Sequence, residues 1–329
     1  MNVRRRSLTV GGMTLLAAHV PLFAQQQAGR IFRIGFLSAA PIPADGRTPM
    51  ALRQALANFG YVDGKNVVYE GRWAEGRFAR LPELAADLVR LRVDAIVVSG
   101  DQASVAAKRA TVAIPIILAG ASDPVGTGMI VSLARPGGNI TGTSAQATEL
   151  SAKRLELLRE AVPKAARVAV LWNLDNAAMT RRYQRLEDAA RMLRLSILPL
   201  GVRESEDFDV ALSTMTRERP DMLVMTSDPF TTLNSKRVIE FNATHRIPAI
   251  YERESLVQEG GLMSYGPNSD EVFRLVAVYV DKIFKGAKPG ELPVEQMDRV
   301  YLHINLKTAK ALGITIPQSL LLRADEVIQ

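Results

Sequence analysis

Val93-Asp94-Ala95-Ile96-Val97-Val98-Ser99 returns further along the chain as Pro220-Asp221-Met222-Leu223-Val224-Met225-Thr226. Each is a short apolar run introduced by Asp and closed by a hydroxyl residue. It is too short for an ordinary helix, and the lack of polar alternation means that both faces of the strand are covered. Each copy leads into a polar, Asp-containing loop, Gly100-Asp101-Gln102 in one and Ser227-Asp228 in the other. A helix-period segment with Lys or Arg follows each loop, and then Ile-Pro, at Ile114-Pro115 and Ile247-Pro248. A unit of this size that occurs twice is a structural duplication, not a short-period solenoid.

The same alternation extends outward from both copies. In the first half, strands are expected at 31–38, 67–73, 95–99 and 116–119, with helices at 49–59, 78–91 and 102–110. In the second, strands are expected at 168–172, 196–202, 222–226 and 249–251, with helices at 177–193, 208–218 and 230–245. Regular β-α alternation builds a parallel sheet with helices on both faces, and right-handed crossovers bring the strand carboxyl ends to one edge. The fold class is therefore α/β, as two doubly wound, Rossmann-like lobes. The run Ala134-Arg135-Pro136-Gly137-Gly138-Asn139 reads as a sharp helix stop, after which Ile140-Thr141-Gly142-Thr143 carries the chain across to the second lobe. A return strand at 260–267, a helix at 270–285 and a last crossing at 299–304 give three crossovers. The first lobe is then 30–142 with 266–297, and the second is 143–265 with 298–329.

The 329 residues include no cysteine, which excludes disulfides, thiolate metal sites, a cysteine nucleophile and a lipid-modified cysteine. Forty-one Lys and Arg against 34 Asp and Glu give a formal charge of +7, and setting aside Arg4, Arg5 and Arg6 leaves +4. The other bases are interspersed with acids, as in Lys153-Arg154-Leu155-Glu156 and Arg181-Arg182 ahead of Glu187-Asp188. That pattern reads as a solvated surface and disfavours nucleic acid. Residues 1–28 read as an export signal. Arg4-Arg5-Arg6 precedes a short, broken apolar stretch and Ala24, and the arginine pair also fits a twin-arginine leader.

In open α/β sheets, ligands bind beyond the strand carboxyl ends. The candidates there are Ser38, Ala39, Ser99, Asp101, Gln102, Ser122 and Asp123 in the first lobe. In the second they are Asn173, Asp228, Tyr251, Glu252 and Tyr265. Free N–H groups and hydroxyls at the helix start after Ser99 suit a carboxylate. Asp123, Asp228 or Glu252 suits an ammonium group, and Trp172, Tyr251 or Tyr265 suits an apolar or aromatic side chain. Together they describe a site for a small zwitterion. Each Asp has a plainer use as a helix cap or turn former, and Trp172 a plainer one in the core. Lobe rotation about Gly142, Tyr265 and the segment near Arg299 closes the cleft.

The segments Ser132–Gly142 (SLARPGGNITG), Gly260–Pro267 (GGLMSYGP), Tyr279–Gln296 (YVDKIFKGAKPGELPVEQ) and Ile304–Ile328 (INLKTAKALGITIPQSLLLRADEVI) resemble an ABC-transporter substrate-binding protein family. The resemblance spans the chain after the leader. It implies a periplasmic-binding-protein type I fold, a small-molecule ligand, and permease and ATPase subunits in the inner membrane as partners. It also implies a periplasmic, monomeric receptor without cofactor or metal; some members of the family are associated with tryptophan or tyrosine uptake. Two other readings stay open: a sensor that signals to a membrane partner, and a secreted enzyme using Asp101 with Asp228. The chain has three histidines and lacks the nucleophile-elbow, phosphate-loop and zinc-helix motifs, so the enzyme reading has least support.

Overall fold

The computed structural model describes residues 30–43 and 45–329; the export signal expected at 1–28 lies outside them. The strands are β1 (Phe32–Ser38), β2 (Val67–Trp73), β3 (Ala95–Ser99), β4 (Ile116–Ala121), β5 (Ile140–Ser144), β6 (Arg167–Asn173), β7 (Ser196–Val202), β8 (Met222–Met225), β9 (Ala249–Tyr251), β10 (Met263–Gly266), β11 (Glu295–Gln296), β12 (Tyr301–Asn305) and β13 (Glu326–Ile328). The helices that matter for the site are α1 (Met50–Asn58), α2 (Leu81–Arg90), α3 (Asp101–Ala110), α4 (Leu150–Ala161), α5 (Ala177–Met192), α6 (Asp207–Glu218), α7 (Pro229–Leu233), α8 (Ser235–His245), α9 (Glu254–Gln258) and α10 (Ser269–Phe284).

The strands form two sheets, one of order β11-β5-β4-β3-β1-β2 and one of order β13-β12-β10-β9-β8-β6-β7. Every pairing is parallel except β10 with β12, which run opposite ways because the chain crosses between lobes between them. The unalternating runs behave as their composition requires: Ile96, Val97, Leu223 and Val224 are all buried, packed on both faces of their sheets. Helix α10 returns to the first lobe and packs on α1, β4 and β5.

Several expectations shift. Gly142 is inside β5, not at a crossover; its φ is +126° and a Cβ there would lie 2.4 Å from the Leu118 backbone. Only glycine allows that strand approach, and the chain leaves the first sheet after Ser144. Residues 124–135 make turns, not a helix, because Pro124, Gly126 and Gly128 favour turns and Asp123 accepts a hydrogen bond from the Gly126 N–H. The helix expected at 230–245 is broken at Asn234, whose side-chain amide donates to the Phe230 carbonyl and competes with the helical ladder.

Candidate ligand-binding site

The carboxyl ends of β3 and β4 face those of β6, β8 and β9 across a cleft, where a cavity of about 140 Å³ opens. The first lobe contributes Ser99, Gly100, Gly120 and Ser122; the second contributes Arg154, Arg182, Ser227, Asp228 and Glu252. Gly100 has φ +98°, and a Cβ there would meet Pro229 of the other lobe at 3.3 Å. The turn therefore needs glycine for its conformation, and its small size also suits the approach of the lobes.

Two arginines dominate the chemistry. Arg154 sits on α4, where the helical stripe Ser151, Leu155 and Leu158 faces the core. It is 1% exposed, and its Nε donates to the Tyr265 carbonyl at 2.7 Å. Its Nη1 donates to the Ala147 carbonyl at 3.0 Å and to Glu252 at 3.3 Å. It thus ties together the segments just after β5 and at β10, two of the passages between lobes. Burial pulls its pKa down, and the Glu252 carboxylate opposes that pull. Arg182 lies on the buried stripe of α5 with Met179 and Leu186. Its Nη1 donates to Glu252 at 2.6 Å and to the Ser227 carbonyl at 3.2 Å, and its Nη2 reaches the Ser122 hydroxyl in the other lobe. Glu252 bridges both guanidinium groups.

The acids on the other side are satisfied by neutral partners. Asp228 caps α7 through the Thr231 N–H and accepts from Asn173 Nδ2 at 2.7 Å. Asp101 accepts from the Ser122 N–H at 3.1 Å and hydroxyl at 2.7 Å. Arg154 Nη2, Arg182 Nε and the Ser227 hydroxyl are buried without a hydrogen-bond partner. Unpaired buried donors are costly and mark a place that expects an acceptor.

Direct contacts close the lobes on one another. Gln102 Nε2 donates to Asp228 at 3.4 Å, Asn176 Nδ2 donates to Gln102 at 3.3 Å, and Arg181 pairs with Asp123 at 3.3 Å. Phe78 meets Phe230 edge-on, with ring centroids 6.1 Å apart.

Of the residues expected from sequence, Ser99, Asp101, Ser122, Asp228 and Glu252 line the cavity, and Gln102 sits beside it. Ser38 and Ala39 do not line it; both are buried, with the Ser38 hydroxyl accepting from the Ala40 N–H. Asp123 shapes its turn and pairs with Arg181. Asn173 is wholly buried and acts on Asp228 rather than facing the cavity. Tyr251 is 1% exposed in the second-lobe core, where burial raises its pKa and Asn242 donates to its hydroxyl. Tyr265 contributes its carbonyl to Arg154 and packs its ring on the core. Trp172 is in that core too, stacked on Tyr183 at 4.0 Å.

Arg154 and Arg182 were missed. Read as interspersed surface charge, they in fact occupy core-facing positions of their helices, unlike the exposed Lys153 and Glu156. An arginine on the apolar stripe of an amphipathic helix was the signal available.

Two α/β lobes closing over a small polar cavity define a solute-binding receptor. The chain belongs to the ABC transporter substrate binding protein family, whose description matches residues 42–328. It is 27% identical over 282 residues to a tyrosine-binding protein of Clostridioides difficile, covering 85% of this chain and 81% of that one. Among solved structures it is similar to a conserved domain protein from Vibrio cholerae, with TM-score 0.84 and 26% identity over 91% of this chain and 100% of that one. An ABC domain in complex with L-Trp from Streptococcus pneumoniae gives TM-score 0.83 at 24% identity over the same shares. The ligand-free, open structure of a substrate binding protein with adhesive properties from Clostridium difficile gives 0.64, also at 24% identity, 91% of this chain and 100% of that one. Among the described residues no cluster of His, Asp or Glu is placed to hold a metal ion, and no helix is long and apolar enough to cross a membrane.

Proposed function

We propose that this chain is the exported receptor of an ABC importer, acting as a monomer outside the inner membrane, and that it captures an α-amino acid between its lobes for delivery to a permease and ATPase. The observation that carries the ligand class is that Arg154, Arg182 and Ser227 line the cavity and each holds a buried donor without a partner. They suit a carboxylate, and Asp228 and Asp101 opposite suit an ammonium group. The names of the tyrosine-binding relative and of the L-Trp complex support the same class. The lobes are 30–144 with 267–297 and 145–266 with 298–329, which follows the two sheets.

A receptor role without catalysis fits the wiring of the site. Asp101 and Asp228 are each held by hydrogen-bond donors on neighbouring side chains and backbone. A triad-like row, Ser264, His303 and Glu326, runs across β10, β12 and β13 with gaps of 3.4 and 3.5 Å. Ser264 is 1% exposed, so a substrate has no access to it.

The test is titration calorimetry of the mature protein against α-amino acids, their amides and their decarboxylated amines. Amino acids should bind, while amides and amines, which lack the carboxylate, should bind about tenfold to a hundredfold more weakly. Equal binding of an amino acid and its amine would remove the carboxylate reading.

A further inference from the structure

Beside the arginine cavity the cleft holds a second and larger one, about 660 Å³ against about 140 Å³. One wall is the apolar surface between α2 and α3, with Pro82, Ala86 and Val105 along the space and Phe78 in its lining. The opposite wall is the first turn of α5 in the other lobe, with Arg109 and Arg181 at the edges. Because its walls come from different lobes, this space takes its shape from their closure, and it stays partly open to solvent.

Asp101 lines both spaces, and the Gln102 side chain stands between them. Its two bonds, to Asp228 at 3.4 Å and from Asn176 at 3.3 Å, are at the long, weak end of the range. When Gln102 turns away, Asp228 keeps Asn173 at 2.7 Å and the Thr231 N–H at 2.9 Å, so nothing buried is left unpaired there.

We infer that the two spaces are one bipartite site: the inner cavity holds the charged head of the ligand, and the outer chamber receives its apolar or aromatic side chain past a displaced Gln102. This inference rests on reading the inner cavity as an amino-acid site. The apolar wall rewards burial of a hydrocarbon or ring. Guanidinium groups at the chamber's edge favour a flat aromatic face. The chamber is therefore the part of the cleft that selects among amino acids by the size and polarity of their side chains.

The experiment is calorimetry with glycine, L-alanine, L-leucine, L-phenylalanine and L-tryptophan on the wild-type protein and on two variants that fill the chamber from different helices, Val105→Trp and Ala86→Trp. In the wild type, affinity should rise about tenfold to a hundredfold from L-alanine to the largest side chains, the gain expected for burying one apolar group. Both variants should erase that rise while holding L-alanine within about twofold of its wild-type affinity. If the rise survives in both variants, or L-alanine weakens by the same factor as L-tryptophan, the chamber is not the side-chain subsite, though the head site stands. If the wild type binds none of the panel, the amino-acid reading fails and the inference with it.

Discussion

The two faces of the cleft are built from different materials. The first lobe presents small and weakly polar groups, Ser99, Gly100, Gly120 and Ser122, with Asp101 as its acidic side chain, held by Ser122. The second presents Arg154, Arg182 and Glu252, buried and joined through the Glu252 carboxylate, with Asp228 held separately by neutral donors. The contrast assigns different jobs. A charged network that is already paired within one lobe is preorganised and keeps its geometry when the cleft opens. The facing wall has only to exclude water and supply a few hydrogen bonds, so small residues that permit close approach suit it. The ligand should therefore dock on the second lobe first, with the first lobe acting as the lid, and the balance between open and closed shifts by whatever the lid adds.

Removing Arg154 should break that asymmetry most severely. Arg154→Ala takes the donor from two backbone carbonyls and half of the support from Glu252, and losing one partner of a buried ion pair costs about 3–5 kcal/mol. Urea unfolding measures this, and a loss below about 1 kcal/mol would mean that the second-lobe network is not the structural anchor described. Arg182→Met comes next. Glu252 keeps Arg154, but the link from Arg182 to Ser122 across the cleft is gone, so the expected cost is about 1.5–3 kcal/mol. Small-angle scattering of the unliganded variant should show a larger radius than the wild type, and an unchanged radius would show that the arginine does not latch the lobes.

On the lid side the effects should be smaller. Ser122→Ala removes the hydroxyl shared by Asp101 and Arg182, but Asp101 keeps the Ser122 N–H and Arg182 keeps Glu252 and the Ser227 carbonyl, so a loss of about 0.5–1.5 kcal/mol is expected in the same urea experiment. A larger loss from Ser122→Ala than from Arg182→Met would invert the comparison between the lobes. Arg191→Ala sharpens the scale from below: its partner Asp188 is an exposed neighbour on the same helix, and the change should stay within about 0.5 kcal/mol.

Legibility divided along physical lines. The strands 67–73, 95–99, 196–202 and 249–251 were readable to the residue, because short apolar segments that alternate regularly with helical ones have few other uses. Ser99, Asp101, Ser122, Asp228 and Glu252 were readable as cavity residues because topology alone places strand ends at the cleft. Tyr251 and Asn173 share those strand ends but point elsewhere, one into the core and one onto Asp228. A strand's last residues face opposite sides of the sheet, and the loop decides which side meets the ligand. The arginines were hidden for a different reason: Arg154 beside Lys153 looks like surface charge until helical phase is applied to it, and the same holds for Arg182 beside Arg181.

The sequence by itself determined the duplicated α/β architecture and the edge of the sheets where a ligand would lie, since hydrophobic period and crossover handedness are local and follow from composition. Only the tertiary structure decided which charges face the cleft, that Glu252 bridges two arginines drawn from separate helices, and that a divided space of about 140 and 660 Å³ lies between the lobes. Those features depend on distances between residues far apart in the chain, set by how the helices pack and how far the lobes close, and no local pattern encodes them.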